Sequence, residues 1–261
     1  MSHKQNQWEI NQLIENLKKN KDAVVIIGDK AIKELDLYKI DEKSKKDLNK
    51  KKMVKEPKKF WEFYKQNIIC NTRKSEAGNK LSDLIKTGVV KTVIDLNYNG
   101  EITSPLGSNI RVINLKGIFD IYRCMSCDTT YTSLDEDAIN SNKVLKCKCG
   151  GKIAPTVTMF GEKYLEKHTK AIKDSIFIEE NDEIKLNTHC LIFIGVDFEE
   201  DYMHEIIESY VAIKSEVSTN ENPYFLVMIT EKDGVSIEYY QPEFATYTGI
   251  ADSIARLTKM L

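Results

Sequence analysis

Apolar residues recur along this chain with two different periods. Trp8, Ile10, Leu13, Ile14 and Leu17 stand at helical intervals. Ala23 to Ile27 is instead a short, β-branched run closed by Gly28, the pattern of a strand buried on both faces of a parallel sheet. After a long charged stretch the apolar pattern resumes at Phe60-Trp61-Glu62-Phe63-Tyr64. Ser82 to Lys86 ends a further predicted helix, with Gly88 placed to cap it. Val89 to Leu96 and Arg111 to Leu115 read as two more buried strands. Beyond residue 160, Glu162 to Ile178 is helical in pattern and Cys190 to Ile194 is a strand stopped by Gly195. Tyr202 to Ile213 is helical again, Tyr224 to Ile229 is a strand, and Ile250 to Leu261 is a closing helix. Strands alternating with helices predict an α/β fold: a Rossmann-like parallel sheet with helices on both faces, interrupted by a small insertion.

Composition narrows this picture without changing it. A chain of 261 residues with 41% hydrophobic positions can bury one large domain plus a small module. Its formal net charge of -2 supplies no overall field toward nucleic acid or anionic lipid. Arginine is confined to Arg73, Arg111, Arg123 and Arg256, so bidentate phosphate forks are scarce. Residues 30 to 59 hold 12 lysines against 6 acidic residues, and 42 to 56 within them reads as a solvated, mobile segment. No stretch approaches the ~18 to 20 apolar residues of a membrane span, and Met1 to Glu9 lacks a basic-then-apolar leader. These features predict a soluble, cytoplasmic protein with no membrane partner.

Six cysteines could form disulfides, but Cys70 and Cys190 stand apart from a cluster of four. Cys124 and Cys127 precede Cys147 and Cys149 with 19 residues between the pairs, a spacing that lets four thiolates close a tetrahedron around zinc. Gly150 and Gly151 follow where the second knuckle needs a tight turn. A closed four-thiolate site leaves no open position for water, so the zinc is expected to be structural. Asp128, Asp135, Glu136 and Asp137 make the loop between the pairs acidic, which argues against contact with nucleic acid. His3, His168, His189 and His204 form no catalytic or metal set.

Outward from the cysteines, the chain resembles the sirtuins, NAD-dependent protein lysine deacylases whose nucleotide domain carries an inserted four-cysteine zinc module. Leu115-Lys116-Gly117 lies where that family has Leu-His-Gly, and Asn97-Tyr98-Asn99-Gly100 where it has Asn-Ile-Asp-Gly. Pro155, Val157 and Phe160-Gly161-Glu162 look like its substrate-binding stretch, Val24 to Gly28 like its first strand, and Leu191 to Gly195 like the strand before its Gly-Thr-Ser. The resemblance implies a Rossmann-like large domain of residues 1–40, 76–120 and 163–261, a small-domain helical segment 41–75, and a zinc ribbon 121–162. It further implies a protein or peptide partner bound through Val157, Phe160, Gly161 and Glu162. Val157 to Glu162 could offer an extended edge for strand addition, with Phe160 lining a groove.

The resemblance would place NAD against Gly28, Asp29, Asn97 and Gly195, with chemistry at Lys116, Asn97 and Asn99. Several of these positions depart from the family. Gly28-Asp29-Lys30 replaces Gly-Ala-Gly, setting a carboxylate and a bulky side chain where the backbone must approach phosphates. Lys116 stands in place of the histidine base and would normally be protonated at neutral pH. Asn99 replaces an aspartate, and Val196-Asp197 replaces Thr-Ser. Sequence therefore predicts a degenerate, zinc-stabilised sirtuin-like protein, a pseudoenzyme acting as a protein-binding or regulatory module. The alternative is a working divergent enzyme, an NAD-dependent deacylase or ADP-ribosyl transferase.

Overall fold

The computed structural model describes residues 7–31, 46–66, 76–97, 110–118, 121–134, 143–196, 198, 201–230, 237–246 and 249–261. In chain order the elements are α1 (Gln7–Asn20), β1 (Ala23–Ile27), α2 (Lys50–Lys55), α3 (Pro57–Tyr64), α4 (Glu76–Lys86), β2 (Val90–Asp95) and β3 (Arg111–Asn114). There follow β4 (Tyr122–Cys124), β5 (Thr130–Tyr131), β6 (Ile153–Pro155), α5 (Glu166–Ile176), β7 (Phe177–Glu180) and β8 (Glu183–Leu186). The chain closes with β9 (Cys190–Ile194), α6 (Asp201–Val217), β10 (Phe225–Ile229), β11 (Phe244–Thr246) and α7 (Ile250–Met260).

Six strands in the order β11-β10-β9-β1-β2-β3 form one parallel sheet. Every residue of β1, β9 and β10 is buried, which is why these strands read as unbroken apolar runs rather than alternating ones. On one face Val25 and Ile27 pack with Leu13 and Leu17 of α1, Leu81 of α4 and Ile254 of α7. On the other, Val24, Ile26 and Phe193 pack with Ile172 of α5 and Ile206 and Tyr210 of α6. The predicted parallel sheet covered on both faces is what the chain forms. Gly88, at φ +78°, returns its N–H to Ile85 at 3.0 Å and ends α4 as expected.

A second, smaller core lies outside this sheet. Met53, Phe60, Trp61 and Tyr64 of α2 and α3 pack with Tyr122, Leu145, Val157 and Met159 of the cysteine-bearing lobe. Trp61 meets Tyr122 edge-to-face with ring centroids 5.9 Å apart. The lobe itself is a three-stranded antiparallel sheet, β5-β4-β6.

Two sequence expectations need correction. The segment 42–56 is not solvated throughout: within its described part, Leu48 and Met53 are buried and α2 begins at an Asn49 cap whose Oδ1 accepts from Lys52 N–H at 2.8 Å. Lysines at five positions from 50 to 58 hid the single apolar position that each short turn contributes to the core. The helix expected over 162–178 spans only 166–176, and the chain then turns back as the hairpin β7–β8. Asn181 and Asp182 both have positive φ, 55° and 63°, as a two-residue primed turn requires. That Asn-Asp pair between Phe177-Ile178 and Ile184 was the overlooked signal.

Because Trp61 is 2% exposed and joins both parts of the small core, Trp61→Ala is expected to cost about 3–5 kcal/mol. Urea unfolding of the purified variant measures it.

Candidate functional site

The four cysteines converge as their spacing predicts. Cys124 ends β4, Cys127 follows the tight turn after it, and Cys147 and Cys149 flank the knuckle before β6. All four Sγ atoms lie within 4.8 Å of one another, with Cys124–Cys149 at 3.5 Å and Cys127–Cys147 at 3.7 Å. Zinc–sulfur bonds of ~2.3 Å place tetrahedral ligands about 3.8 Å apart, so the cluster fits zinc with no fifth donor from His, Asp or Glu among the described residues. The single-residue spacing of the second pair closes the knuckle through Gly150, at φ +85°, whose N–H bonds Cys147 O at 2.9 Å. A Cβ on Gly151 would fall against Cys124 Sγ and Ser126, so the second turn leaves room only for glycine.

Hydrogen bonds shift the thiols in both directions: at Cys149 the Gly151 N–H pulls down, but the other three cysteines outweigh it and the thiol is pushed up to about 12. Tyr131 donates to Cys147 Sγ at 3.0 Å and holds that thiol below its usual range, while its own hydroxyl is pushed up to about 12. The Thr129 hydroxyl beside Cys127 lowers that thiol to about 6. Cys190, by contrast, is fully buried in β9 and burial pushes its thiol well up, consistent with an inert core position.

The second assembly lies at the carboxyl ends of the parallel strands. Gly28 ends β1 and sits against Gly195 at the end of β9; a Cβ on Gly28 would fall into Gly195 O and Val196 Cα. The contact is locked by hydrogen bonds: Gly28 N–H to Ile194 O at 2.8 Å, Lys30 N–H to Gly195 O at 3.0 Å, and Ala31 N–H to Gly28 O at 3.2 Å. Three of the four N–H groups from 28 to 31 thus already have carbonyl partners. The exposed Asp29 carries a carboxylate into the same turn. Among residues 28–31 the donors are thus largely engaged; residues 32–40, which continue this loop, lie outside the described residues.

Next to the turn, Asn97 is 2% exposed, and its N–H and Nδ2 both donate to Asp95 Oδ1, at 2.8 and 2.9 Å. Asn97 Nδ2 is also 3.4 Å from Gly28 O, so the residue bridges β2 to the first turn. Asn97 Oδ1 and Asn114 Oδ1 are buried without hydrogen-bond partners. Asn114 stands opposite Asp95 in register, so the two strand ends form a polar cluster suited to a hydroxyl-bearing ligand. Sequence reading found Asn97 but missed Asp95 and Asn114. A carboxylate closing the apolar run Val93-Ile94 was the available signal. Asn99, with Tyr98 and Gly100, lies outside the described residues, as does Asp197.

Lys116 is half-buried just past β3, and its carbonyl accepts from Thr158 N–H at 2.7 Å. Thr156 Oγ1 donates to Ile118 O at 2.8 Å and accepts from Ile118 N–H at 3.2 Å. Between them Gly117, at φ +81°, passes so near Thr156 O that no Cβ would fit. The backbone of Lys116 thus lies beside the 155–162 stretch. His168 of α5 reaches toward Leu115 O at 3.5 Å, and burial pulls its pKa below the usual value.

The 157–162 stretch is not the extended edge that sequence suggested. It bends and turns, with Gly161 at φ +82°, and its N–H groups point inward: Thr158 to Lys116, Phe160 to Leu48 O at 2.7 Å, and Met159 to Glu162 Oε2 at 3.0 Å. Glu162 also forms an ion pair with Lys50. Val157 is buried in the small core and Phe160 is 52% exposed, bordering a cleft of about 600 Å³.

The Sir2 family profile matches residues 31–184, more than half of the chain. The chain belongs to the Sir2 family. Among curated sirtuins, an NAD-dependent protein deacetylase of Caldivirga maquilingensis is 36% identical over 112 residues, covering 41% of this chain and 43% of that protein. An NAD-dependent protein deacylase of Pyrococcus furiosus is 34% identical over 119 residues, covering 43% and 47%. The matched stretch thus spans less than half the length of these relatives. Solved structures extend the likeness of fold to the whole chain. A Sir2 bound to acetylated peptide superposes with a TM-score of 0.70 at 15% identity over 96% of this chain and 97% of that one. A second, from work on sirtuin substrate affinity, gives 0.72 at 16% identity over 99% of each. Among the described residues of this sirtuin, no helix is long and apolar enough to cross a membrane.

Purified protein is expected to carry one zinc per chain by elemental analysis. Cys124→Ser, which removes a buried ligand, should lose that metal and lower the unfolding midpoint; chelation at raised temperature should do the same to the unaltered chain.

Proposed function

We propose that this chain is a zinc-stabilised sirtuin that binds protein or peptide partners and whose NAD-dependent deacylation is weak or lost. The observation that carries this reading is the first turn, where Gly28, Lys30 and Ala31 N–H groups are spent on protein carbonyls and Asp29 adds a negative charge. A dinucleotide drawing its donors from this turn would have to break those bonds and sit beside a like charge, and each hydrogen bond that its phosphates fail to make forgoes about 1–3 kcal/mol. Lys116 adds to the case. An ammonium there cannot accept a proton until it loses its own, and a lysine does so near neutral pH only when deeply desolvated.

One observation favours a second reading, a divergent working enzyme of the deacylase or ADP-ribosyl transferase kind. Asn97 and Asn114 hold buried carbonyl oxygens without partners, and such groups persist where a ligand hydroxyl completes them. In that case Lys116→Ala removes a measurable NAD-dependent release of acyl group or nicotinamide.

Thermal unfolding in NAD separates the two. A ligand at 100 times its Kd stabilises by about 2.7 kcal/mol, and for a chain of this size each kcal/mol moves the midpoint by about 2–4 °C. The first reading expects no shift at millimolar NAD and no deacylation of acetyl-lysine peptides. A shift of several degrees together with turnover overturns it.

A further inference from the structure

The cleft beside Phe160 carries a charge that neither the chain's composition nor the reading above accounts for. Its walls come from the Asn49 cap and first turn of α2, from Arg123 and Met125 of the ribbon, and from residues 154–163 and Leu165. Four of these residues are cations, Lys50, Lys51, Arg123 and Lys163, against the single carboxylate of Glu162. The chain as a whole has a net charge of -2, so this excess is local. Glu162 is already engaged by Lys50, and Arg123 leans on Asp128 at 3.6 Å. Lys51 and Lys163 are exposed and have no carboxylate partner among the described residues.

Apolar side chains stand beside the cations. Met125 is 41% exposed and Phe160 is 52% exposed, both on the cleft rather than on the small core that takes their neighbours Cys124 and Met159. A cavity of about 600 Å³ lined by ammonium groups together with a thioether and a phenyl ring is complementary to an extended segment mixing carboxylates with apolar side chains. Nucleic acid would instead be expected to meet arginine forks and stacked rings. Only one arginine lines this cleft, and Asp128 stands against it.

We infer that this cleft selects partners in which acidic residues flank the lysine or apolar side chain presented to the Phe160 stretch. The inference rests on the peptide-binding reading above and names the chemical class of its partner. The long-range part of the selection comes from Lys51 and Lys163, which are uncompensated. Lys50 and Arg123 act at contact distance, by exchanging an internal carboxylate for one from the partner.

Fluorescence anisotropy with short peptides tests it, each with a central acetyl-lysine flanked on both sides by glutamates, by glutamines or by lysines. The glutamate peptide is expected to bind about tenfold more tightly than the glutamine one, with the advantage shrinking as salt rises. The lysine peptide should bind weakest. The exposed double variant Lys51→Glu, Lys163→Glu should erase or reverse this order while circular dichroism and zinc content stay unchanged. Equal affinity for all three peptides overturns the inference and leaves the peptide-binding reading standing, whereas failure of all three to bind overturns both. A single-stranded oligonucleotide that binds the protein more tightly than the glutamate peptide, and loses affinity in the same double variant, also overturns it.

Discussion

The peptide planes of Gly117 and Thr156 cross with no room for a methyl group between them, and the rest of the molecule is arranged around that crossing. The chain leaves the parallel sheet after β3 and enters the ribbon lobe at Tyr122. It returns along 155–162 to α5. Outgoing and returning segments pair as β4 and β6 and stay in contact back to the sheet, where the Thr156 hydroxyl ties to both polar groups of Ile118 and Thr158 N–H ties to Lys116. Buried backbone groups must find partners, and here they find them across the two lobes. The same crossing sets Lys116, Phe160 and the Asn49 turn in one neighbourhood.

A second close approach, Gly28 against Gly195, has the opposite consequence. In a nucleotide-binding turn glycines let the backbone come near to phosphates while its N–H groups remain available. In this chain the same freedom brings the backbone near to itself, and the donors are consumed by Ile194, Gly195 and Gly28 carbonyls. Each such internal bond is worth only about 0.5–1.5 kcal/mol net, so none alone would exclude a dinucleotide. Combined with the Asp29 carboxylate they weigh in one direction. The buried oxygens of Asn97 and Asn114 weigh in the other, and which of the two dominates is a question of affinity rather than of fold.

Much of this was legible in the sequence, for stated reasons. Strands buried on both faces announce themselves as unbroken apolar runs, so β1, β9 and β10 were read within a residue of their true ends. Thiolate ligands have few alternative uses at such spacing, so Cys124, Cys127, Cys147 and Cys149 were found together. What escaped was signalled by single residues. One apolar side chain, Met53, anchors a helix otherwise made of lysines and a valine, and the Asn181-Asp182 turn converts a helical pattern into a hairpin. The inward direction of the Thr158 and Phe160 N–H groups depends on Lys116 and Leu48, which are distant in sequence, and no local pattern could have announced it. Nor could sequence place Lys50, Arg123 and Lys163 on one cleft, since they come from three separate stretches.

The durability of the ribbon compared with the turn follows from how each is stabilised. Structural zinc in small finger peptides contributes about 10–16 kcal/mol at neutral pH, so the loss of one thiolate removes the folding energy of the whole lobe. Among its described residues from 122 to 155 the lobe buries few apolar side chains besides the cysteines, chiefly Tyr122, Leu145, Ile153 and Ala154. The lobe packs on α2 and α3 through the small core, where Tyr122 meets both Trp61 and Tyr64. Substitutions at Asp29 and Lys30 face no comparable penalty, because the Gly28–Gly195 contact involves backbone atoms and not those side chains. Stability thus constrains the cysteines and the Gly117 crossing tightly while leaving the charge of the first turn free to vary. The cysteine cluster and the two cores are therefore fixed by packing that does not involve the Asp29 and Lys30 side chains.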